Sequence, residues 1–206
     1  MVGGGFVYAV HMPSPLPTAD RILRAARTLF ERDGVQAVTM RRVADAVGIT
    51  PMAIYRHFGN REALLKRISD DSFDTISRHW LARNQGGDAL SRVIALQRIY
   101  LDYALAHPHL FDHAFSMRRA DARRYPQDFH AGLSPTLTVA ADAVADAMQA
   151  GQLRQDDAWD VAMTLWAHTH GLIALYRAGR FSYDDTQFRQ LYDASLQRLL
   201  QGLKAS

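Results

Sequence analysis

The sequence contains no cysteine, and this absence excludes several kinds of site before any motif is considered. Without cysteine the chain forms no disulfide framework, no thiolate metal site and no cysteine nucleophile. This composition suits a protein of a reducing compartment.

Long hydrophobic runs are also missing. No stretch of about 18 apolar residues is available to span a bilayer, and the start MVGGGFVYAV lacks the basic residues and cleavage pattern of a signal peptide. We therefore expect a cytoplasmic protein. His11-Met12 resembles a cloning junction or an internal start codon, so residues 1–16 are interpreted as a disordered or non-native extension.

The usual features of an enzyme are absent as well. The sequence shows no Gly-rich phosphate loop, no nucleophile with an obvious partner and no distinctive carboxylate pair, so we predict no catalytic residues and no cofactor. His109 and His113 have the i,i+4 spacing of a metal-binding pair, with Asp112 between them. Because no third ligand is fixed, metal sensing remains only an alternative.

What the sequence does contain is ample apolar material, 48% of 206 residues, and an uneven charge. Up to Arg67 there are ten Lys or Arg against five Asp or Glu, whereas the whole chain carries a formal charge of +3. The first third is therefore basic and the remainder slightly acidic. This distribution favours an anionic partner, such as nucleic acid, for the first third.

Every segment with a clear hydrophobic period has the helical one. We predict an all-α protein of about nine helices, with Thr18 as the first N-cap and Gly34, Gly48 and Gly179 as helix stops. The predicted helices span about 19–33, 40–47, 50–57, 61–80, 90–106, 111–115, 137–148, 157–178 and 184–203.

The stretch TMRRVADAVGITPMAIYRHFGNREALL, residues 39–65, has the pattern of a helix-turn-helix. Gly48 can adopt the positive φ of a tight turn, Ala44 is small where two crossing helices touch, and Ile54 and Phe58 can face inward. The remaining side chains of the third helix then stay outside, which is unusual for a helix without a partner.

Residues 18–67 resemble the DNA-binding domain of TetR-type bacterial transcriptional regulators. The resemblance rests on ILRAARTLFERDG, VTMRRVADAVGIT and AIYRHFGNREALL, which occur in the family's order and spacing. The helical remainder agrees in length with the family's ligand-binding and dimerisation domain, and LWAHTHGL at 165–172 is similar to the Trp-His-Gly signature of one subgroup. The implied domains are 17–64 for DNA binding and 65–206 for ligand binding and dimerisation.

An α-helix fits the major groove of DNA, so the outer face of the third helix is the expected reader. Thr50, Met52 and Arg56 are the candidates for base edges, beside the exposed Pro51. Tyr55 and His57 are expected to hold phosphates. The predicted contacts of the flanking helices are Thr39 with a phosphate, Arg41 with a guanine edge and, by the resemblance, Arg61 with a phosphate.

The resemblance implies that the second domain binds a small apolar or amphipathic effector. The ligand-contact candidates are Tyr103, Phe111, Phe115, Trp166 and His170. The alternative is that these side chains are ordinary core.

The resemblance further implies a homodimer formed by the helices at 157–178 and 184–203. The apolar residues predicted for that interface are Leu165, Leu172, Leu175, Phe188, Leu191, Tyr192, Leu196 and Leu199. The resulting hypothesis is a repressor that binds a palindromic operator and is released by its effector. A helical small-molecule-binding protein with a vestigial DNA domain is the alternative.

Overall fold

A computed structural model describes residues 16–83, 87–116 and 122–205. These residues form ten α-helices, one 3-10 turn at Val35–Ala37 and one π-helical segment at Asp112–Ser116, and no strand occurs among them. The all-α prediction is therefore confirmed. The α-helices are α1 Thr18–Asp33, α2 Met40–Val47, α3 Pro51–Tyr55, α4 Arg61–Arg83, α5 Ala89–Ala106, α6 Pro108–Phe111, α7 Gln127–His130, α8 Pro135–Gln149, α9 Ala158–Arg177 and α10 Asp185–Leu203.

Most helix ends lie where the sequence places a capping residue. Gly34 and Gly179, with φ of 79° and 67°, follow the ends of α1 and α9, and both positive values suit glycine. The prediction for Thr18 is wrong by one residue, since α1 begins at Thr18 and Pro17 occupies the cap position without a side-chain hydrogen bond. The segment 116–134, where no helix was predicted, contains the short α7, and its residues 117–121 lie outside the described ranges.

The helix-turn-helix is built by α2, α3 and the turn between them. Gly48 has φ 73° and ψ 39°, and its N–H donates to Ala44 O at 2.9 Å. Arg21 of α1 donates from Nη2 to Val47 O at 2.9 Å, which holds the last turn of α2 against α1. Ala44 and Ile54 are both fully buried where the two helices pack. The predicted motif is present.

Two hydrophobic cores lie along α4. The N-terminal core includes Leu64, Leu65 and Ile68 of α4 together with α1, α2 and α3, and the C-terminal core begins on α4 at Ile76 and Trp80. The boundary expected after residue 64 thus lies within one continuous helix.

The short α6 contributes to both cores. Leu110 is buried in the N-terminal core, whereas Phe111 is buried in the C-terminal core. At the same boundary His107 Nδ1 lies 3.2 Å from Glu31 Oε1, and the rings of Phe30 and His113 meet edge to face at 5.2 Å. Helix α6 therefore packs against both the N-terminal helices and the larger bundle.

Within the described ranges, no helix combines the length and the apolar character needed to cross a membrane.

Candidate functional site

The outer face of α3 is unusually exposed for a helix of the N-terminal core. Ile54 is its one fully buried side chain, while Met52 and Tyr55 are 68% and 47% exposed. The exposed residues of α3 and its flanks are called the reading surface below. Its members are Thr39, Arg41, Thr50, Pro51, Met52, Tyr55, Arg56 and His57, all of which sequence reasoning predicted.

Two threonines at the helix starts shape this surface. Thr39 Oγ1 accepts from Arg42 N at 3.2 Å and Thr50 Oγ1 accepts from Ala53 N at 3.3 Å, so each caps its helix through one lone pair. Pro51 occupies the first turn of α3, where its missing N–H costs nothing. Each hydroxyl hydrogen remains available to a phosphate oxygen.

The basic side chains of the first third divide into paired and unpaired groups. Arg42, for example, donates from Nη2 to Asp33 Oδ2 at 2.8 Å. Hydrogen bonds from Arg32 and, secondly, from Arg42 lower the pKa of Asp33 to about 2. Of the ten Lys and Arg residues up to Arg67, three have no hydrogen-bond or ion-pair partner in the part of the chain that the structure describes. They are Arg24, Arg41 and Arg56.

Two of these three cations were predicted as DNA contacts and lie on the reading surface. Arg24, the third, is an exposed residue of α1 and is not part of that surface. An unpaired guanidinium retains all its donors for an external acceptor.

Arg61 has an internal role that the sequence did not reveal. Its Nε donates to Val38 O and its Nη2 to Val35 O, both at 2.6 Å, and the side chain is half-buried. The guanidinium thereby ties the first residue of α4 to the 3-10 turn that precedes Thr39. A phosphate contact of Arg61 would have to coexist with these two bonds.

The C-terminal bundle contains a cavity of about 460 Å³. Its lining comes from α4, α5, α8, α9 and the segments between α5 and α8, so one wall belongs to the helix that also supports the reading surface. The buried aromatic part of the wall includes Trp80, Tyr100 and Phe129, joined by the partly buried Phe73, Phe115 and Trp166.

Three side chains at and behind the cavity wall form a hydrogen-bonded chain. Trp166 Nε1 donates to Tyr100 Oη at 3.0 Å, and Tyr100 Oη lies 3.0 Å from His170 Nδ1. Burial lowers the pKa of His170, although the charge of Asp112 acts in the opposite direction. A neutral imidazole with its hydrogen on Nε2 lets the Tyr100 hydroxyl donate to Nδ1 while it accepts from Trp166.

The predicted ligand residues divide between the cavity wall and the layer behind it. Phe115 and Trp166 line the cavity. Phe111, His170 and Tyr103 do not: Phe111 stacks on His170 at 5.6 Å behind Tyr100, and the ring of Tyr103 lies 4.9 Å from that of His107. Trp80 and Tyr100 also line the cavity but were not among the ligand-contact candidates, because periodicity identifies a buried face without identifying a void beside it.

The residues predicted for a dimer interface fall into two groups, one buried and one accessible in the single chain. Leu165, Phe188, Tyr192 and Leu196 are fully buried within the chain's own core, so the prediction that they face a second copy is not supported. Leu172, Leu191 and Leu199 are partly buried, and Leu175 is 48% exposed. These four remain available on the outer faces of α9 and α10.

The histidine pair considered for a metal lies at the boundary between the two cores. His113 packs on Phe30, and Asp112 forms two parallel hydrogen bonds with Arg177, at 2.9 and 2.7 Å. Among the residues described, no group of three or more His, Asp or Glu side chains could hold a metal ion.

Comparisons with known proteins match both halves of the chain. The family model for bacterial regulatory proteins of the tetR family matches residues 22–68. The model for the tetracyclin repressor-like C-terminal domain matches residues 93–203, more than half of the chain.

Relatives of similar length agree with these matches. An HTH-type transcriptional regulator of Saccharopolyspora erythraea is 27% identical over 207 residues, which cover 93% of this chain and 86% of that protein. The regulator TtgR of Pseudomonas putida is 26% identical over 172 residues, 76% of this chain and 78% of that protein.

A solved structure shares the fold. A protein of unknown function from Rhodococcus sp. RHA1 superposes with a TM-score of 0.76 at 24% identity, covering 93% of this chain and 98% of that one. With a helix-turn-helix, a separate helical bundle and family matches to both, the chain belongs to the TetR family of bacterial regulatory proteins.

Proposed function

We propose that the protein is a homodimeric transcriptional repressor whose reading surface binds a palindromic DNA operator and whose cavity binds the small molecule that releases it. The observation that carries the proposal is the exposed face of α3, where Arg56 has no partner among the described residues and Met52 is 68% exposed. A DNA target places the protein in the cytoplasm, where the bacterial chromosome lies.

The side chains of the reading surface suit different parts of the duplex. Arg56 offers two parallel donors to a guanine, Met52 can pack on a thymine methyl group, and Thr50 can bond to a base edge. Tyr55 and His57 flank Arg56 and would contact phosphates, as would the Thr39 hydroxyl at the start of α2. Arg41 is the second candidate for a guanine edge.

Helix α4 couples the cavity to the reading surface. Lys66, Asp70, Phe73 and Trp80 of α4 line the cavity, and Arg61 at its start holds the turn before α2. A ligand that binds better to one position of α4 would shift the chain toward that position. Operator affinity then changes because the orientation of α2 and α3 depends on α4.

A second copy is proposed to pack on the outer faces of α9 and α10. Leu175 is exposed, Leu172, Leu191 and Leu199 are partly covered, and burying them between two subunits would complete a four-helix bundle. Two reading surfaces related by a two-fold axis would then contact two half-sites about 34–36 Å apart. One copy alone would touch too few bases to select a genomic site.

The Trp-His-Gly segment is proposed to work as part of the effector site. Trp166 lines the cavity, and His170 contacts Tyr100, which in turn accepts from Trp166.

Residues 17–64 are proposed to bind DNA, and residues 65–206 to bind the effector and the second copy. Helix α4 is shared between these two parts.

Selection of bound duplexes from a random pool tests the proposal. The expected product is a two-fold symmetric sequence bound by two chains, with affinity that falls steeply as salt increases. Binding without sequence enrichment would favour the alternative of a vestigial DNA domain. A reporter placed downstream of the selected operator would show repression if the regulator is a repressor.

A further inference from the structure

The cavity has an apolar interior and a charged rim. Lys66, Asp70, Arg123 and Asp128 lie at the rim, and each is at least partly exposed. Trp80, in contrast, is 5% exposed and forms part of the buried wall.

Both carboxylates of this lining already have a hydrogen-bond donor. Asp70 Oδ2 accepts from Lys66 Nζ at 2.6 Å, and Asp128 Oδ2 accepts from the backbone N of Arg124 at 2.6 Å. Neither negative charge therefore requires a cation from a ligand.

Two donors of the lining have no acceptor. The guanidinium of Arg123 lies 5.1 Å from the ring centre of Phe73, a cation–π contact that orients it, yet it has no hydrogen-bond or ion-pair partner in the described part of the chain. Trp80 Nε1 is buried and likewise has no acceptor among the described residues. Because a buried donor without a partner is destabilising, an acceptor supplied by a ligand would be favourable there.

Both donors lie beside side chains of one face of α4. Arg123 stacks on Phe73, and Phe73 and Trp80 are seven residues apart on α4, which places them on the same face about 10 Å apart along the helix axis.

We propose that the cavity binds an amphipathic organic carboxylate: its acid group accepts from Arg123 at the rim, its apolar body lies among the aromatic side chains, and a second acceptor at the other end of that body meets Trp80 Nε1. The proposal rests on the cavity being the effector site. A planar guanidinium suits a carboxylate because two parallel N–H groups can bond to its two oxygens.

Three biphenyl probes that share one scaffold and differ in charge test whether a negative charge increases affinity. Calorimetric titration of the full chain at neutral pH would compare biphenyl-4-carboxylate with the neutral biphenyl-4-carboxamide and the cationic biphenyl-4-ylmethylamine. The acid is expected to bind about tenfold to a hundredfold more tightly than the amide, because a charge-assisted bond replaces a neutral one. Arg123→Gln should remove that preference, while Arg124→Gln, an exposed neighbour outside the lining, should retain it.

A second pair of probes tests the proposed contact with Trp80 Nε1. 4′-Acetylbiphenyl-4-carboxylate carries a ketone at the far end, and Trp80→Phe should weaken its binding about threefold to tenfold while leaving biphenyl-4-carboxylate nearly unchanged. The phenyl ring keeps most of the apolar wall, so the lost N–H is the main difference.

Several results would overturn the ligand class: no binding of either acid, equal affinity for acid and amide, tighter binding of the amine, or an acid preference that survives Arg123→Gln. Operator binding is measured separately on the selected duplex. An intact operator complex with no acid preference would refute the ligand class alone, whereas tight acid binding that never releases the operator would support the class and refute the effector role.

Discussion

Leu110 and Phe111 are adjacent in the chain, yet their side chains are buried in different hydrophobic cores. Leu110 packs among α1, α2 and the first turns of α4, and Phe111 packs against Tyr100 and His170 beside the cavity. A displacement of α6 must therefore disturb both cores, because close-packed side chains leave little free space.

Leu110→Ala is expected to destabilise the N-terminal helices selectively. Removing this buried side chain should lower the free energy of unfolding by about 2 to 5 kcal/mol. Hydrogen exchange followed by mass spectrometry should show faster exchange in α1 and α2 than in α9 and α10. Leu133→Ala, at a side chain that is 54% exposed, is the control and should change neither. An equal increase of the exchange rate in all four helices would contradict the placement of Leu110 in the N-terminal core.

Arg61→Gln distinguishes a structural role of Arg61 from a contact with DNA. Loss of the two bonds to Val35 O and Val38 O should cost about 1.5 to 3 kcal/mol in urea unfolding, as expected for bonds from a charged donor. Arg41→Gln, which removes a cation without a described partner, should leave stability unchanged. If Arg61→Gln is fully stable and instead reduces the salt dependence of operator binding by about one unit of slope, the phosphate contact predicted from the sequence is the correct role.

Acid should weaken the fold through His170. Its pKa is lowered in the folded state, so the unfolded chain binds the extra proton first, and stability falls as the pH drops below about 6.5 until the folded pKa is reached. Protonation also adds a hydrogen on Nδ1, where the Tyr100 hydroxyl now donates. His170→Gln should flatten the fall in melting temperature between pH 7 and 5. His79→Gln, an exposed histidine on α4, should leave it unchanged, and equal slopes for the two variants would exclude this role of His170.

Leu175→Glu is expected to give a monomer. The side chain is 48% exposed in the single chain, so a carboxylate costs little there but would be buried unpaired in a dimer interface. Light scattering should report half the mass, and operator affinity should fall in parallel. Leu133→Glu, at a similarly exposed leucine outside α9 and α10, is the control. A dimer that persists in Leu175→Glu would place the interface elsewhere.

The helices and the reading surface could be predicted because their signals are local. Apolar spacing located the long helices, and glycine at position 48 suits the left-handed backbone conformation that the turn between α2 and α3 requires. The exposure of Arg56 and Met52 could be predicted because only a few residues of a short helix can face the core.

The cavity could not be predicted in the same way. Tyr100 and Tyr103 are one turn apart and both buried, yet of the two only Tyr100 lines the void, and that choice depends on how α5 packs against the helices around it. The role of Arg61 was missed for a related reason, since its partners are backbone carbonyls 23 and 26 residues away that carry no side-chain signal.

The most direct test of the account is the affinity of Arg56→Gln for the selected operator, measured by fluorescence anisotropy beside Arg180→Gln. Both residues are exposed and both changes remove one positive charge, but Arg180 lies in the segment between α9 and α10 and is not part of the reading surface. Arg56→Gln is expected to weaken operator binding about fivefold to a hundredfold and to relax preference at one base position, while Arg180→Gln should change operator affinity by less than about twofold. Equal affinities for the two variants, with base preference intact, would contradict the assignment of α3 as the element that reads DNA.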